Sequence, residues 1–239
     1  MTEPVFPMRI NKYLALKKHS TRRGADELIE KGQVFINGKL AVLGAKVGED
    51  DNVEVRFRGK VKPFLYFAYN KPRGVITHSA GEGEKDIQQE IKDIIPIKGV
   101  FPIGRLDKDS HGLIILTNDG RITERLLGPA YEHTKVYVVK TTNPLRASFK
   151  KNMEAGVKIE SEKTKPCKVD ILSDHLFKVT LTEGKKHQIR RMCSALFQEV
   201  EDLKRVQIMN VELGKLPQGG HREIVDEELK TFLHSLELG

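Results

Sequence analysis

The chain has 239 residues, 38% of them hydrophobic, enough to bury a real core in one large domain or in a small and a medium one. With 41 Lys and Arg against 33 Asp and Glu the formal charge is +8, which points to a polyanionic partner, nucleic acid before membrane, although surplus surface lysine gives the same sum. Two distant cysteines, Cys167 and Cys193, and the absence of any Cys/His cluster with zinc spacing argue against a disulfide scaffold or zinc module and fit buried free thiols in a reducing compartment. No apolar run reaches the length of a membrane span, and the first residues lack a basic segment followed by an apolar one. The expectation is a soluble, cytoplasmic protein with no membrane partner, read as a monomer.

A first module is expected over residues 8–55. Ile10, Leu14 and Ala15 share one helical face, and Ala25, Leu28 and Ile29 another. Ser20 or Thr21 can cap the second helix and Gly32 can end it. Val34-Phe35-Ile36 reads as a strand, Asn37-Gly38 as a tight hairpin turn, and Val53-Glu54-Val55 as a closing strand. Arg9, Lys12, Lys17, Lys18, Arg22, Arg23, Lys31 and Lys39 make the module basic, a pattern that neutralises phosphates or simply solvates a helix face. No acid–base constellation lies in it.

Residues 56–63 are basic, hold Gly59 and Pro63 and show little periodicity, so they read as a linker. The remainder, 64–239, is strand-rich. Strands are expected over Phe64–Tyr69, continuing at Val75-Ile76-Thr77, and over Leu113–Leu116, Lys135–Val139, Cys167–Ile171, Phe177–Leu181, Val206–Ile208 and Val211–Leu213. Helices are expected over Ile122–Leu127, Leu145–Met153, Gln188–Phe197 and Asp226–Leu236, the last capped by Asp226. Helices scattered among hairpin-like strands predict an α+β fold with a mixed, mainly antiparallel sheet rather than a βαβ array.

The most informative stretch is Phe101-Pro102-Ile103-Gly104-Arg105-Leu106-Asp107-Lys108-Asp109-Ser110-His111-Gly112-Leu113. It sets a carboxylate at the end of a core strand, beside fixed positive charge, where it stays ionised. Taken alone, an Asp in a Gly-flanked turn is more often a turn residue. This block, together with Asn70-Lys71-Pro72-Arg73-Gly74, Lys135-Val136-Tyr137 and Gly184-Lys185-Lys186-His187-Gln188-Ile189-Arg190-Arg191-Met192, resembles the motifs of the RsuA/RluF-type pseudouridine synthases. The order Arg9-x-Asn11-Lys12-Tyr13-Leu14, Ser20-Thr21-Arg22-Arg23 and Gly32-x-Val34-x-Ile36-Asn37-Gly38 resembles the αL RNA-binding motif, first described in a small-subunit ribosomal protein. The wording around Asp107, the Gln188–Met192 helix and Ile208-Met209-Asn210-Val211 are similar to the RluF-like subgroup, whose members modify large-subunit ribosomal RNA, one type also a transfer RNA anticodon loop.

The resemblance implies isomerisation of uridine to pseudouridine without a cofactor or metal. Asp107 is implied as the catalytic carboxylate, which either attacks the sugar or abstracts a proton. Tyr137 is implied to stack on the base and take its proton, and Arg190 to pair with Asp107. Arg105 is implied to fill the space left by a flipped-out uridine, a role weighed equally against a strand-end ion pair with Asp109 or another acid. Arg9, Lys12, Arg22, Arg23, Lys39, Lys71, Lys185 and Arg191 complete the expected RNA contacts, with Lys71 read as structural or as a phosphate contact. The partner is RNA: ribosomal RNA first, transfer RNA as the alternative. Two rival readings are a non-catalytic RNA-binding assembly factor and a glycosylase using Asp107, which would need a placed water and a second acid.

Overall fold

The computed structural model describes residues 5–17, 19–56, 63–78, 81, 84–92, 94–95, 97, 99–128 and 130–238. Lys18 and all of the expected linker except Arg56 and Pro63 lie outside the described residues. The chain divides into two compact units: residues up to Phe64 with Asp119–Ile122, and Leu65–Asn118 with Thr123–Gly239.

In the first unit β1 (Met8–Arg9) leads into α1 (Ile10–Leu16), followed by α2 (Arg22–Glu30), β2 (Val34–Ile36), β3 (Lys39–Leu40), β4 (Lys46–Val47) and β5 (Val53–Val55). Thr21 caps α2, its Oγ1 accepting the Gly24 N–H at 3.0 Å, and Gly32 follows the helix at φ +65°. Asn37 and Gly38 both take positive φ, 50° and 77°, as a two-residue turn between β2 and β3 requires. The sheet order is β3-β2-β5, with β1 and β4 paired separately. Ile10, Leu14, Ala25, Ile29, Val34 and Val47 form the core, so both helices bury the faces that their periodicity marks. Arg9, Lys12, Lys17, Arg22, Arg23 and Lys39 are left exposed.

The second unit holds β6 (Tyr66–Lys71), α3 (Ile87–Ile91), β7 (Phe101–Ile103), β8 (His111–Thr117), α4 (Ile122–Leu127), β9 (Lys135–Thr141), α5 (Phe149–Glu154), β10 (Lys158–Ile159), β11 (Glu162–Lys163), β12 (Lys168–Ser173), β13 (Leu176–Leu181), α6 (Gln188–Ala195), β14 (Val200–Ile208), β15 (Val211–Glu212), β16 (His221–Glu223) and α7 (Asp226–Ser235). Nine strands form one mixed sheet in the order β12-β13-β9-β14-β8-β6-β16, with β15 on β14 and β7 on β8. Only β14 and β8 run parallel; the other pairs are antiparallel. β6 and β8 are buried along their whole length, as strands covered on both faces must be. One core gathers Phe149, Met153, Phe177, Ile189, Met192 and Cys193; another gathers Tyr69, Ile87, Ile91, Ile114 and Leu116. Burial pushes the Cys193 thiol up to about 12, and that of Cys167 to about 11.

Three local expectations change. Val75-Ile76-Thr77 does not continue β6: Pro72 has no N–H to donate, Gly74 turns at φ +84°, and Ile76 makes a single parallel bridge to Asp86. α5 begins at Phe149 rather than Leu145, and the Leu145 N–H donates to the Asp174 carbonyl at 2.6 Å. Asp226 is the first residue of α7, not its cap; with Glu227 and Glu228 it sets negative charge in the first turn, favourable to the helix dipole.

The parallel junction depends on Gly112, opposite Arg205 in register. A Cβ there would sit 2.2 Å from the Arg205 carbonyl oxygen, and Gly112 has φ +105°. Gly112→Ala is therefore expected to cost about 3 kcal/mol, from backbone strain and overpacking together; urea unfolding measures it, and a loss below about 1 kcal/mol contradicts a tight junction.

Candidate active site

The loop between β7 and β8 presents Asp107. Gly104 opens it at φ +79°. Thr77 then holds both backbone groups of one residue: its Oγ1 donates to the Leu106 carbonyl at 2.6 Å and accepts the Leu106 N–H at 3.0 Å. The Gly74 N–H donates to the Lys108 carbonyl at 2.9 Å, and the Ser110 N–H to the Asp107 carbonyl at 3.0 Å. Arg73 Nε donates to the Asp109 carbonyl at 3.0 Å. The Asn70–Gly74 motif thus shapes the floor under the loop. Asp107 itself stays 39% exposed, with His187 Nε2 at 3.4 Å from its Oδ1.

Asp107 faces a cleft of about 760 Å³, also lined by Arg105, Lys135, Tyr137, His187 and Arg205. Lys165, Lys185 and Lys186 join the lining, so six lysines and arginines face two carboxylates, Asp107 and Glu183. Tyr137 projects from β9, directly opposite Arg205 on β14 and Val179 on β13. His187 takes the left-handed conformation, φ 51°, just before α6. Gln188 is buried and braces this turn, its Oε1 accepting the Lys185 N–H at 2.9 Å and its Nε2 donating to Glu183 at 2.6 Å.

The structure therefore brings Asp107, Tyr137 and Arg105 to one cleft but places Arg190 differently. No ion pair joins Arg190 to Asp107 among the described residues. Its Nη1 donates to the Val200 carbonyl at 3.1 Å and its Nη2 to the Asp109 carbonyl at 3.5 Å. The reason is helical geometry: one turn into α6, the side chain reaches the backbone beyond Asp107, while His187 at the helix start meets the carboxylate. In this structure Arg190 touches the backbone of the loop rather than its acid.

Lys71 also differs from expectation as a phosphate contact. It is fully buried, its ammonium donating to the carbonyls of Pro72 at 2.9 Å and Val75 at 2.6 Å. Burial pulls its pKa down to about 8, against the opposing pull of Asp107 and Asp109. Arg105 is exposed and forms no ion pair with Asp109 among the described residues. Arg191 pairs with Glu160 at 2.7 Å and Lys185 with Glu162. Their acids are well exposed, so these are weak, exchangeable pairs. Arg9, Lys12, Arg22, Arg23 and Lys39 sit exposed on the first unit.

Sequence reading left Lys135 and Gln188 out of the site and gave His187 and Arg205 no role beyond that of basic residues near it. Two signals were available: Lys135 lies two before Tyr137, hence on the same strand face, and Arg205 interrupts the apolar pattern of a central strand.

Residues 65–195 match the family described as RNA pseudouridylate synthase, and residues 8–53 match the S4 domain. The chain belongs to the RNA pseudouridylate synthase family and is an isomerase that acts on RNA uridine. Within it the chain is RluF-like: it is 41% identical to the dual-specificity RNA pseudouridine synthase RluF of Escherichia coli K12, over 98% of this chain and 81% of that one. It is 36% identical to the ribosomal large subunit pseudouridine synthase B of Bacillus subtilis, over 94% and 95%. A crystal structure of a pseudouridylate synthase superposes with a TM-score of 0.69 at 29% identity, covering 96% of this chain and 99% of that one. The α+β expectation, a small RNA-binding unit and a larger unit built on a mainly antiparallel sheet, holds.

The geometry separates Lys71 from RNA contact. Lys71→Met should leave the carbonyls of Pro72 and Val75 unpaired and cost about 2 kcal/mol, without changing the salt dependence of RNA binding. A shallower log–log salt slope in the folded variant would restore Lys71 as a phosphate ligand.

Proposed function

We propose that this enzyme converts a specific uridine in large-subunit ribosomal RNA to pseudouridine, with residues 8–55 as the RNA-binding domain, 56–63 as the linker and 64–239 as the catalytic domain. The observation that carries the reading is Asp107: an accessible carboxylate on a loop fixed through its backbone, in a basic cleft shared with Tyr137. A carboxylate placed without a tight cation partner keeps its lone pairs available for the sugar, by attack at C1′ or by removal of the C2′ proton. Tyr137 supplies a ring on which the detached uracil stacks and a hydroxyl for the proton at its C5. Arg105, exposed at the rim, enters the stack vacated when the uridine flips out. Arg190 and Arg73 are positioning residues, holding the Asp109 carbonyl and through it the loop.

The relatives' names support the ribosomal target, and the dual specificity in the name of the E. coli relative favours a second RNA substrate, for which a transfer RNA is the candidate. The enzyme works as a cytoplasmic monomer; no helix among the described residues is long and apolar enough to cross a membrane. Pseudouridine mapping of ribosomal and transfer RNA from cells with and without the protein tests the target. Loss of no site from either RNA refutes it.

Asp107→Asn removes the carboxylate's charge with almost no change of shape. It should lower single-turnover rate by about 10⁴-fold or more while RNA affinity and melting temperature hold. Turnover within tenfold of the parent refutes the assignment of Asp107.

The first unit carries exposed Arg9, Lys12, Arg22 and Arg23. Replacing these four by glutamine in the full chain should weaken RNA binding and reduce the log–log salt slope by about one for each phosphate they neutralise. An unchanged slope would make the unit a passive appendage.

A further inference from the structure

We propose that Lys135 and Arg205 form an anion site on the cleft floor that takes up the negative charge of the uracil ring while it is detached from the sugar. The inference rests on the pseudouridine synthase reading above and assigns two residues to it. Arg205 is 3% exposed. Its Nε donates to the Leu113 carbonyl at 2.7 Å and its Nη1 to the Arg105 carbonyl at 3.4 Å, while Nη2 is buried with no partner among the described residues. Among the described residues the Lys135 ammonium donates only to the His133 carbonyl, at 3.2 Å. Both line the cleft, and neither lies in an ion pair with a carboxylate among the described residues. Ser110, also on the lining, holds a buried hydroxyl without a partner.

Two neighbouring cations, one buried and one partly buried, with no carboxylate paired to either among the described residues, destabilise the fold. Burial first, and then the charge of Arg205, draws the Lys135 pKa down to about 8, so each ion feels the other. A purely structural arrangement would supply an acid here, as Glu228 does for Arg222 at 2.6 Å. The strand register sets the pair around Tyr137. Lys135 lies two residues before it on the same face of β9, and Arg205 stands opposite it on β14.

The chemistry has one step that needs such a site. As the C1′–N1 bond breaks, its electron pair goes to N1 of uracil. This holds whether an Asp107 oxygen bonds to C1′ in its place or Asp107 takes the C2′ proton and a C1′=C2′ bond forms. The ring leaves with one negative charge, spread over N1 and its carbonyl oxygens, which accept hydrogen bonds from N–H donors. When C5 attacks C1′, the charge passes into the new C–C bond and is returned to Asp107, either as released carboxylate or by donation of its proton to C2′. The C5 proton then leaves and N1 is protonated. Cations fixed in a half-buried pocket act on charge that exists only between the two bonds, which is where electrostatic stabilisation lowers a barrier most.

The test compares full-length parent, Lys135→Met and Lys135→Arg in single turnovers on RNA carrying uridine or 5-fluorouridine at the target. Chromatography of the digested nucleosides reads loss of the N-glycoside. Fluorine stabilises the departing anion and reduces its need for a cation. Lys135→Met should slow the uridine reaction by about 10²-fold and the 5-fluorouridine reaction by less than tenfold. RNA affinity should hold, and the melting temperature should hold or rise. Lys135→Arg should stay within tenfold of the parent on both. Equal losses on the two RNAs, no loss, or a fall in melting temperature overturns the proposal. A parent that leaves uridine untouched overturns the functional reading instead.

Discussion

The close parallel pairing of β8 with β14 is the constraint on which the site depends. Gly112 removes the one side-chain atom that would collide with the Arg205 backbone. The two strands arrive from different parts of the chain: β8 carries the loop of Asp107 at its start, and β14 carries Arg205 at its middle. Antiparallel β9 closes on the other side of β14 and brings Lys135 and Tyr137 alongside. A register bulge between Arg205 and Gln207 lets β14 serve both neighbours. The cleft is thus a property of three central strands, with α6 contributing its N-terminal turn.

The site trades stability for charge. Lys71, Arg205 and Lys135 are cations held in or near the core, and the buried ammonium of Lys71 senses both Asp107 and Arg205. Lys71 is satisfied by two carbonyls; Arg205 is one donor short; Lys135 has a single weak acceptor. The satisfied ion shapes the motif under the loop, while the under-satisfied ones face the cleft. The acid is governed in the opposite way. Its position comes from backbone contacts by Thr77, Gly74 and Arg73, so its carboxylate remains only loosely engaged, by His187.

Much of this was legible in the chain. Periodicity located both helices of the first unit, Asn37-Gly38 announced its hairpin, and the alternation of Phe177–Leu181 announced a sheet strand. The motif around Asp107 marked the cleft. What escaped reading has physical causes. Pro72 and Gly74 ended a strand whose apolar pattern runs on to Thr77. Arg190 was expected on Asp107 because motif resemblance assigns residues, not side-chain reach; the left-handed turn at His187 fixes where each residue of α6 points. Lys135 looks like a surface charge in a basic protein, and only the strand register places it on the face of β9 that Arg205 adjoins.

The two cysteines lead to a separate consequence. Burial keeps both thiols protonated, and Cys193 has no exposed surface. A thiolate is the species that oxidants and alkylating agents attack, so burial slows their reaction with both thiols, and more so with Cys193 than with the partly exposed Cys167. Cys193 lies on the buried face of α6, in one core with Phe177, Ile189 and Met192. A maleimide or disulfide reagent therefore reaches it only when that core opens, and the rate of Cys193 labelling is a built-in clock for the opening of the catalytic unit.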